Sequence, residues 1–149
     1  MTVIGVVGAG SCDEKIDRLA HRVGELIAKR GAAMVCGGLG GVMEAASRGA
    51  AENGGVTIGV LPGGGREDAN PYINLPLVTD MGHARNVIIA HTAQALIAIS
   101  GGYGSLSEIS IGLKLGKPVI SLASWGQIEG VILVETPEEA VEAAFEQIG

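Results

Sequence analysis

The chain has 149 residues, enough for one domain with a single hydrophobic core. Hydrophobic residues make up 47% of it and aromatic residues only 3%, so valine, isoleucine, leucine and alanine must fill that core. A formal net charge of −6 with so few aromatic rings argues against a nucleic-acid partner, which calls for basic residues and stacking platforms. The chain begins with an apolar strand rather than a charged leader or a membrane span, so we expect a cytoplasmic protein with no membrane partner.

Apolar runs alternate with segments of helical periodicity along the chain. The continuous run Val3–Gly8 predicts a strand buried on both faces, and the spacing of apolar residues predicts a helix over Asp13–Arg30. Further strands are predicted at Ala32–Val35, Val56–Leu61, Leu77–Thr79, Ala95–Ile99, Val119–Leu122 and Val131–Val134. Further helices are predicted at Gly41–Asn53, Gly82–His91, Ser105–Leu115 and from Thr136 to Ile148. The alternation predicts one α/β domain over residues 1–149, doubly wound and Rossmann-like, with a mostly parallel sheet.

Four of the predicted strands end in glycine turns. The turns are Gly8–Ser11, Cys36–Gly41, Pro62–Gly65 and Ser100–Gly104. The carboxyl ends of parallel strands lie at one edge of the sheet, which is where open α/β folds bind ligands. We therefore expect the binding site at this edge.

The segment Ser100–Glu108 is the most informative of these turns. Its three glycines let the backbone approach a ligand closely, and the N–H groups that open the following helix point at the same place. Ser105 adds a hydroxyl and Glu108 a carboxylate. The pattern predicts a phosphate cradle with an acid beside it. It matches neither G-x-G-x-x-G nor the Walker motif, and a purely structural turn is the alternative.

Arg85 is the other charged residue expected at this edge. It lies near the start of a predicted helix, where the helix dipole disfavours a cation. A phosphate or carboxylate partner explains its position, because a guanidinium binds such groups through two parallel hydrogen bonds. A solvated or ion-paired surface arginine is the alternative. Looser candidates, for sugar hydroxyls or for closing over a ligand, are Asn86, Thr79, Asp80, Arg66 and Tyr72.

The only two cysteines, Cys12 and Cys36, stand at predicted strand ends. Two thiols form no disulfide framework, and no histidine stands at a metal-ligand spacing from them. We expect free thiols in a reducing compartment and no metal site; a metal or redox pair is the alternative.

Three segments resemble the LOG family, whose members were once described as possible lysine decarboxylases. Gly37–Met43 is similar to its GGGxxGLMG segment, Ser100–Glu108 to its PGGxGTxxE signature, and Met81–Arg85 to its arginine-bearing MHxRK-type segment. The resemblance implies a Rossmann-like fold, a homodimer or homotetramer, and a site for a nucleoside monophosphate. The enzymes of the family hydrolyse the N-glycosidic bond of a cytokinin riboside monophosphate, and their catalytic arginine and glutamate correspond to Arg85 and Glu108.

The glycine turns and the resemblance together define the expected site. Arg85 and Glu108 are the expected catalytic pair. The residues expected to bind the ligand are Gly8, Gly10, Ser11, Gly37, Gly38, Gly40, Gly41, Asn86, Gly101, Gly102, Tyr103, Gly104 and Ser105. No cofactor is expected for catalysis, and the bound molecule is expected to be an AMP-like nucleotide or a molybdenum cofactor.

The sequence departs from the LOG enzymes beside the arginine. Ala84 and Asn86 stand where those enzymes usually have glutamate and lysine, and Ser100 and Ser105 replace the proline and threonine of the signature. The Ala-Arg-Asn version is more similar to the molybdenum-cofactor carrier proteins.

Three functions are therefore compared. The first is a binding or carrier protein for a phosphorylated nucleotide or pterin, and the second is a phosphoribohydrolase acting on a nucleoside monophosphate. The third is a DNA-processing protein of Smf type, which the acidic charge argues against. A lysine decarboxylase does not fit, because Lys114 and Lys117 fall away from the predicted edge and the reaction needs a Schiff-base lysine.

Overall fold

A seven-stranded parallel sheet forms the centre of the computed structural model, which describes residues 1–149. The strands are β1 (Val3–Gly8), β2 (Ala33–Cys36), β3 (Thr57–Leu61), β4 (Leu75–Val78), β5 (Ala95–Ile99), β6 (Val119–Leu122) and β7 (Ile132–Val134). Their order is β4-β3-β2-β1-β5-β6-β7, and every neighbouring pair is parallel. The predicted α/β, Rossmann-like fold is confirmed.

Five α-helices cover the two faces of the sheet. They are α1 (Glu14–Lys29), α2 (Val42–Glu52), α3 (Arg85–Thr92), α4 (Tyr103–Lys114) and α5 (Pro137–Ile148), with short 3-10 turns at Arg66–Asp68 and Gly82–Ala84. Side chains alternate between the faces, so Val6 packs in the core under α1, α2 and α5, while Val7 packs in the core under α3 and α4. No helix combines the length and the apolar composition that a membrane crossing requires.

The helix starts fall into two kinds. The side chain of Asp13 caps α1 by accepting from the Ile16 N–H at 2.9 Å, and that of Thr136 caps α5 by accepting from the Glu139 N–H at 3.1 Å. By contrast, α2 begins after Gly41 and α4 after Gly102, and neither has a side-chain cap. The Val42 N–H that opens α2 donates to the Ala9 carbonyl at 3.0 Å, whereas the first N–H groups of α4 make no backbone hydrogen bond and are available to a ligand.

The direction of the strand order reverses between β1 and β5. From β1 the chain moves outward through β2 and β3 to β4, and α3 then crosses back to β5 on the other side of β1. Gly8, at the end of β1, pairs with Ile99 at the end of β5. Open α/β sheets bind their ligands at such a reversal, outside the carboxyl ends of the strands.

Three starts differ from the predictions by two residues or more, and one of them is α3, which begins at Arg85 because Gly82–Ala84 forms a 3-10 turn. β4 begins at Leu75, earlier than predicted, because Leu75 pairs with Ile58 of β3. α4 begins at Tyr103 rather than Ser105, because Gly102 is its N-cap. Tyr103 and Gly104 consequently belong to the first turn of a helix and not to the glycine turn before it.

Candidate functional site

A pocket of about 190 Å³ opens between the ends of β1 and β2 and the first turns of α2, α3 and α4. We call it the inner pocket. Its lining residues are Val7, Gly8, Gly10, Gly37, Leu39, Met43, His83, Arg85, Asn86, Gly104, Ser105 and Glu108. The structure thus brings Arg85 and Glu108, from separate segments of the sequence, to one cavity.

Arg85 is the first residue of α3, and only 8% of its surface is exposed. Its Nε donates to the carbonyl oxygen of Val60 at 2.9 Å, and its Nη1 donates to Oδ1 of Asn86. A Cβ on Gly37 would lie 2.7 Å from Nη2 of Arg85, so glycine leaves room for the guanidinium. Burial lowers the pKa of Arg85, and the nearby Glu108 opposes that shift.

Glu108 lies in the second turn of α4, with 7% of its surface exposed. Burial raises the pKa of this carboxyl to about 8, and the charge of Arg85 offsets only part of that rise. The two groups form no ion pair; the ion pairs of this protein join residues of α1, α2 and α5 and their ends. At neutral pH Glu108 is therefore largely protonated and can donate a hydrogen bond.

Two buried polar side chains complete the lining. Ser105 is 4% exposed, and its hydroxyl has no hydrogen-bond partner within the protein. Asn86 is 2% exposed, and its Nδ2 donates to Oγ of Ser107 at 3.3 Å. Because the Ser105 hydroxyl lines the pocket and makes no hydrogen bond within the protein, it is free to bind a polar group there.

The uncapped starts of two helices also meet at the inner pocket. Met43 is in the first turn of α2, and Gly104 and Ser105 are in the first turn of α4. A helix start presents free N–H groups and the positive end of the helix dipole. Together with the guanidinium of Arg85, these starts give the pocket a positive electrostatic environment, which favours an anion such as a phosphate.

The remaining predicted ligand-binding residues lie outside the inner pocket. Gly38 and Gly41 are packed against protein atoms in left-handed backbone conformations, with φ of 79° and 60°. The others outside it are Ser11, Gly40, Gly101, Gly102 and Tyr103.

Tyr103 lies at a neighbouring cavity of about 220 Å³, which we call the outer pocket. Its lining residues are His83, Asn86, Tyr103, Gly104 and Ser107, and three of these also line the inner pocket. The two cavities are therefore adjacent, and Tyr103, 85% exposed, lies at the rim of the outer one.

Four lining residues were absent from the set expected from the sequence: Val7, Leu39, Met43 and His83. Leu39, Met43 and His83 fall inside the segments that resemble the LOG family, so the motif matches contain the information needed to predict them as lining residues. Val7 is the penultimate residue of β1, and only its alternation on the strand places it under the pocket.

Of the looser candidates, only Asn86 lines the inner pocket. The hydroxyl of Thr79 donates to the Leu61 carbonyl at 2.6 Å, and Arg66 and Asp80 are exposed. Asn70 anchors the long loop that carries Arg66 and Tyr72, because its Nδ2 donates to the Leu39 carbonyl at 2.9 Å. The loop thus braces the turn after β2.

The cysteines are free, and burial raises the pKa of both thiols. Cys36 is fully buried, and its Sγ accepts from the Gly38 N–H at 3.3 Å. No three side chains of His, Cys, Asp or Glu converge as metal ligands. No lysine lines the inner pocket; Nζ of Lys117 instead donates to the carbonyls of His91 and Ala93 at the end of α3.

Residues 1–147 match the model of the SLOG cluster4 family. The chain belongs to this family. It is 54% identical over 138 residues to an uncharacterised protein of Archaeoglobus fulgidus, covering 93% of this chain and 91% of that one. It is also 33% identical over 140 residues to a cytokinin riboside 5′-monophosphate phosphoribohydrolase of Mycobacterium tuberculosis, covering 87% and 74%. The resemblance to LOG proteins is confirmed.

Solved structures of molybdenum-cofactor proteins have the same fold. The molybdenum cofactor binding protein of Rippkaea orientalis matches with a TM-score of 0.94 at 33% identity, covering 99% of this chain and 98% of that one. The molybdenum cofactor carrier protein of Chlamydomonas reinhardtii matches with a TM-score of 0.88 at 32% identity and the same coverage. DNA processing protein A of Streptococcus pneumoniae, at 22% identity and a TM-score of 0.76, shares the fold alone.

Proposed function

We propose that this SLOG cluster4 protein binds a phosphorylated nucleotide-type ligand, a nucleoside monophosphate or a molybdopterin-type cofactor, and holds it without cleaving it. The observation that carries the proposal is the meeting of the buried Arg85 guanidinium with the uncapped start of α4 in one pocket. A buried cation and a free helix start together call for an anion. The chain is acidic overall, so this local positive field selects a small anionic ligand rather than a polyanion.

Different parts of the ligand bind in the two adjacent cavities. The phosphate binds in the inner pocket, where the N–H groups of α4 and the hydroxyl of Ser105 are free. The planar ring binds in the outer pocket, where Tyr103 and His83 supply aromatic surface and Asn86 an amide. Aromatic faces and a few hydrogen-bonding groups are the usual lining of a site for a heterocycle.

The protonation state of Glu108 argues against its acting as the carboxylate that activates water and stabilises positive charge. Cleavage of an N-glycosidic bond passes through a positively charged, oxocarbenium-like state, which an ionised carboxylate stabilises while it activates water. With a pKa of about 8, Glu108 is mainly neutral at pH 7 and lacks the charge for either role. The alanine and asparagine beside Arg85 support binding over hydrolysis, because the LOG enzymes usually carry charged residues there.

A phosphoribohydrolase is the second candidate. It is favoured by the presence of Arg85 and Glu108 in one pocket and by the 33% identity to the mycobacterial enzyme. In that reaction water adds to the anomeric carbon while the base leaves with a proton, and a protonated Glu108 can supply that proton. A DNA-processing role has only the shared fold in its favour.

Incubation with AMP separates the two candidates. We expect native mass spectrometry to show intact AMP bound to the wild type and to Glu108→Gln, with no adenine released over hours. Glu44→Gln is the matched control, since Glu44 holds the corresponding place after the other glycine turn and does not line the pocket. Release of adenine and ribose 5-phosphate by the wild type and the control, but not by Glu108→Gln, would establish the enzyme. If the protein binds neither AMP nor a pterin phosphate, the proposal is wrong.

We also propose that the protein assembles as a homodimer or homotetramer through β4 and α3. The edge strand β4 exposes Leu75, Leu77 and Val78, and α3 exposes Val87. Apolar side chains grouped on a sheet edge and a neighbouring helix mark an interaction surface.

Charge substitutions on this surface test the assembly. We expect Leu77→Lys combined with Val87→Lys to reduce the mass measured by light scattering to that of a monomer. Leu133→Lys is the control, since Leu133 is 63% exposed on β7, the opposite edge of the sheet. A monomeric wild type would contradict the assembly, as would a double variant of unchanged mass.

A further inference from the structure

A third cavity, of about 430 Å³, lies beside the glycine turn that follows β5. We call it the side pocket. Its lining residues are Ser100, Gly101, Ala123, Ser124, Trp125, Gly126 and Gln127, none of which lines the inner or the outer pocket. It is formed by the chain segments that leave the carboxyl ends of β5 and β6.

The wall of the side pocket is fixed to the glycine turn by two side-chain hydrogen bonds. Oγ of Ser124 donates to the carbonyl of Ser100 at 3.1 Å, and Nε1 of Trp125 donates to the carbonyl of Gly102 at 3.3 Å. Ser100 and Ala123 both have left-handed backbone conformations, with φ of 52° and 55°. Non-glycine residues adopt this strained conformation mainly where the surrounding structure holds them, and such residues cluster at ligand sites.

Gly101 separates the side pocket from the inner pocket. It lines the side pocket, yet a Cβ built on it would lie 2.3 Å from Oγ of Ser105, which lines the inner pocket. The turn at Gly101 thus lies between the side pocket and Ser105 of the inner pocket. A group bound over the turn has access to both cavities.

The chemistry of the two cavities differs. The inner pocket carries Arg85 and the start of α4, which favour a phosphate. The side pocket contains no charged side chain and offers the hydroxyl of Ser100 and the amide of Gln127, neither of which is hydrogen-bonded within the protein. Neutral donors and acceptors of this kind fit the hydroxyls of a sugar or the edge of a base, rather than a second phosphate.

We propose that the side pocket holds the second nucleoside of a dinucleotide-type ligand. The pyrophosphate lies along the Gly101–Gly104 turn with one phosphate in the inner pocket, the ring of the first nucleoside occupies the outer pocket, and the second nucleoside occupies the side pocket. This inference rests on the proposed function, because it takes the turn as the phosphate site. It narrows the ligand class from a mononucleotide to two nucleosides joined through their phosphates.

Calorimetric titration with AMP, ADP and P1,P2-di(adenosine-5′) pyrophosphate tests the inference. ADP adds a phosphate to AMP, and the dinucleotide adds only the second adenosine. We expect the dinucleotide to bind at least about tenfold more tightly than ADP, a modest gain for one additional bound group. We expect Ser100→Gly combined with Gln127→Ala to bring the dinucleotide to about the affinity of ADP while leaving AMP and ADP unchanged. Glycine suits the left-handed backbone of residue 100, so the double variant introduces no strain there.

Glu129→Ala is the matched control, because Glu129 is exposed on the same segment and lines none of the cavities. Equal affinity of the wild type for ADP and the dinucleotide would overturn this inference and leave the proposed function standing. A gain that persists in the double variant would overturn it too, by placing the second adenosine elsewhere. Absence of binding by all three nucleotides, and by a pterin phosphate, would instead overturn the proposed function itself.

Discussion

The glycine turns after β2 and β5 have the same layout in the sequence but different surroundings in the structure. In the turn after β2, Gly41 has a φ of 60°, and a Cβ on it would lie 2.3 Å from the Ala9 carbonyl oxygen. In the turn after β5, a Cβ on Gly102 or Gly104 would meet no atom within 4 Å. The first turn uses glycine to pack protein against protein, whereas the second leaves backbone open to a ligand.

The comparison shows that a repeated motif need not repeat a role. The turn after β2 positions the wall of the inner pocket and makes room for the Arg85 guanidinium. The turn after β5 presents its own N–H groups. Gly101 is the one glycine of the second turn that is tightly packed, against Ser105. Substitution by alanine should therefore affect stability at one turn and ligand binding at the other.

The largest loss of stability is expected for Gly41→Ala. A left-handed backbone costs alanine about 1–2 kcal/mol, and the overlap with backbone atoms of Ala9, Gly10 and Ser11 adds a cost of similar size. We expect the free energy of unfolding, measured by urea denaturation, to fall by about 3 kcal/mol or more. Gly31→Ala isolates the backbone cost, because Gly31 has a φ of 75° and no atom within 4 Å of its Cβ position. Equal losses of stability in Gly41→Ala and Gly31→Ala would show that the atoms around Gly41 move aside at no cost in free energy.

Glu108→Gln is expected to change how the free energy of unfolding depends on pH. The folded pKa of about 8 lies above the ordinary 4.5, so the stability contributed by the protonated carboxyl is complete below about pH 4.5 and is lost as pH rises through 8. The wild type should lose a few kcal/mol over this range, since each pKa unit corresponds to about 1.4 kcal/mol. The glutamine variant should lack this decline, and Glu44→Gln should retain it. Denaturation at pH 5 and pH 9 measures the difference, and parallel curves for wild type and Glu108→Gln would refute the raised pKa.

The smallest change in stability is expected for Gly104→Ala. Gly104 lies within the first turn of α4, where alanine is favoured over glycine by about 0.5–1 kcal/mol, so the protein should become slightly more stable. AMP affinity should fall about tenfold, because the methyl group enters the phosphate site. Ser110→Ala, exposed on the same helix, is the control that changes helix propensity without touching the pocket. Unchanged AMP affinity in Gly104→Ala would remove the phosphate from this turn.

The sequence predicted the framework because its strands are continuous apolar runs with clear limits. β1, β5 and β6 begin and end at the predicted residues. The start of β4 was missed because it depends on pairing with Ile58 across the sheet, which local composition does not encode.

Motif position was enough to nominate Arg85 and Glu108. The hydrogen bond from Arg85 to Val60 and the raised pKa of Glu108 could not be predicted, since both depend on how α3 and α4 pack. The two glycine turns likewise differ only in the atoms that lie near each glycine in the folded protein.

The inner pocket is assembled from two halves of the chain. Gly8, Gly37 and Arg85 come from the part before β5, while Ser105 and Glu108 come from the part after it. The seam between the halves is the pairing of β1 with β5, reinforced where α5 packs on α1.

Closing this seam joins residues about 90 positions apart, which makes it a slow, long-range step of folding. The pocket is complete only when that step is finished, so a ligand binds the assembled chain and stabilises it by mass action. The ion pairs Arg22–Glu138 and Arg30–Glu142 join α5 to α1 and its C-terminal end, so they link the two halves at a place outside the inner pocket.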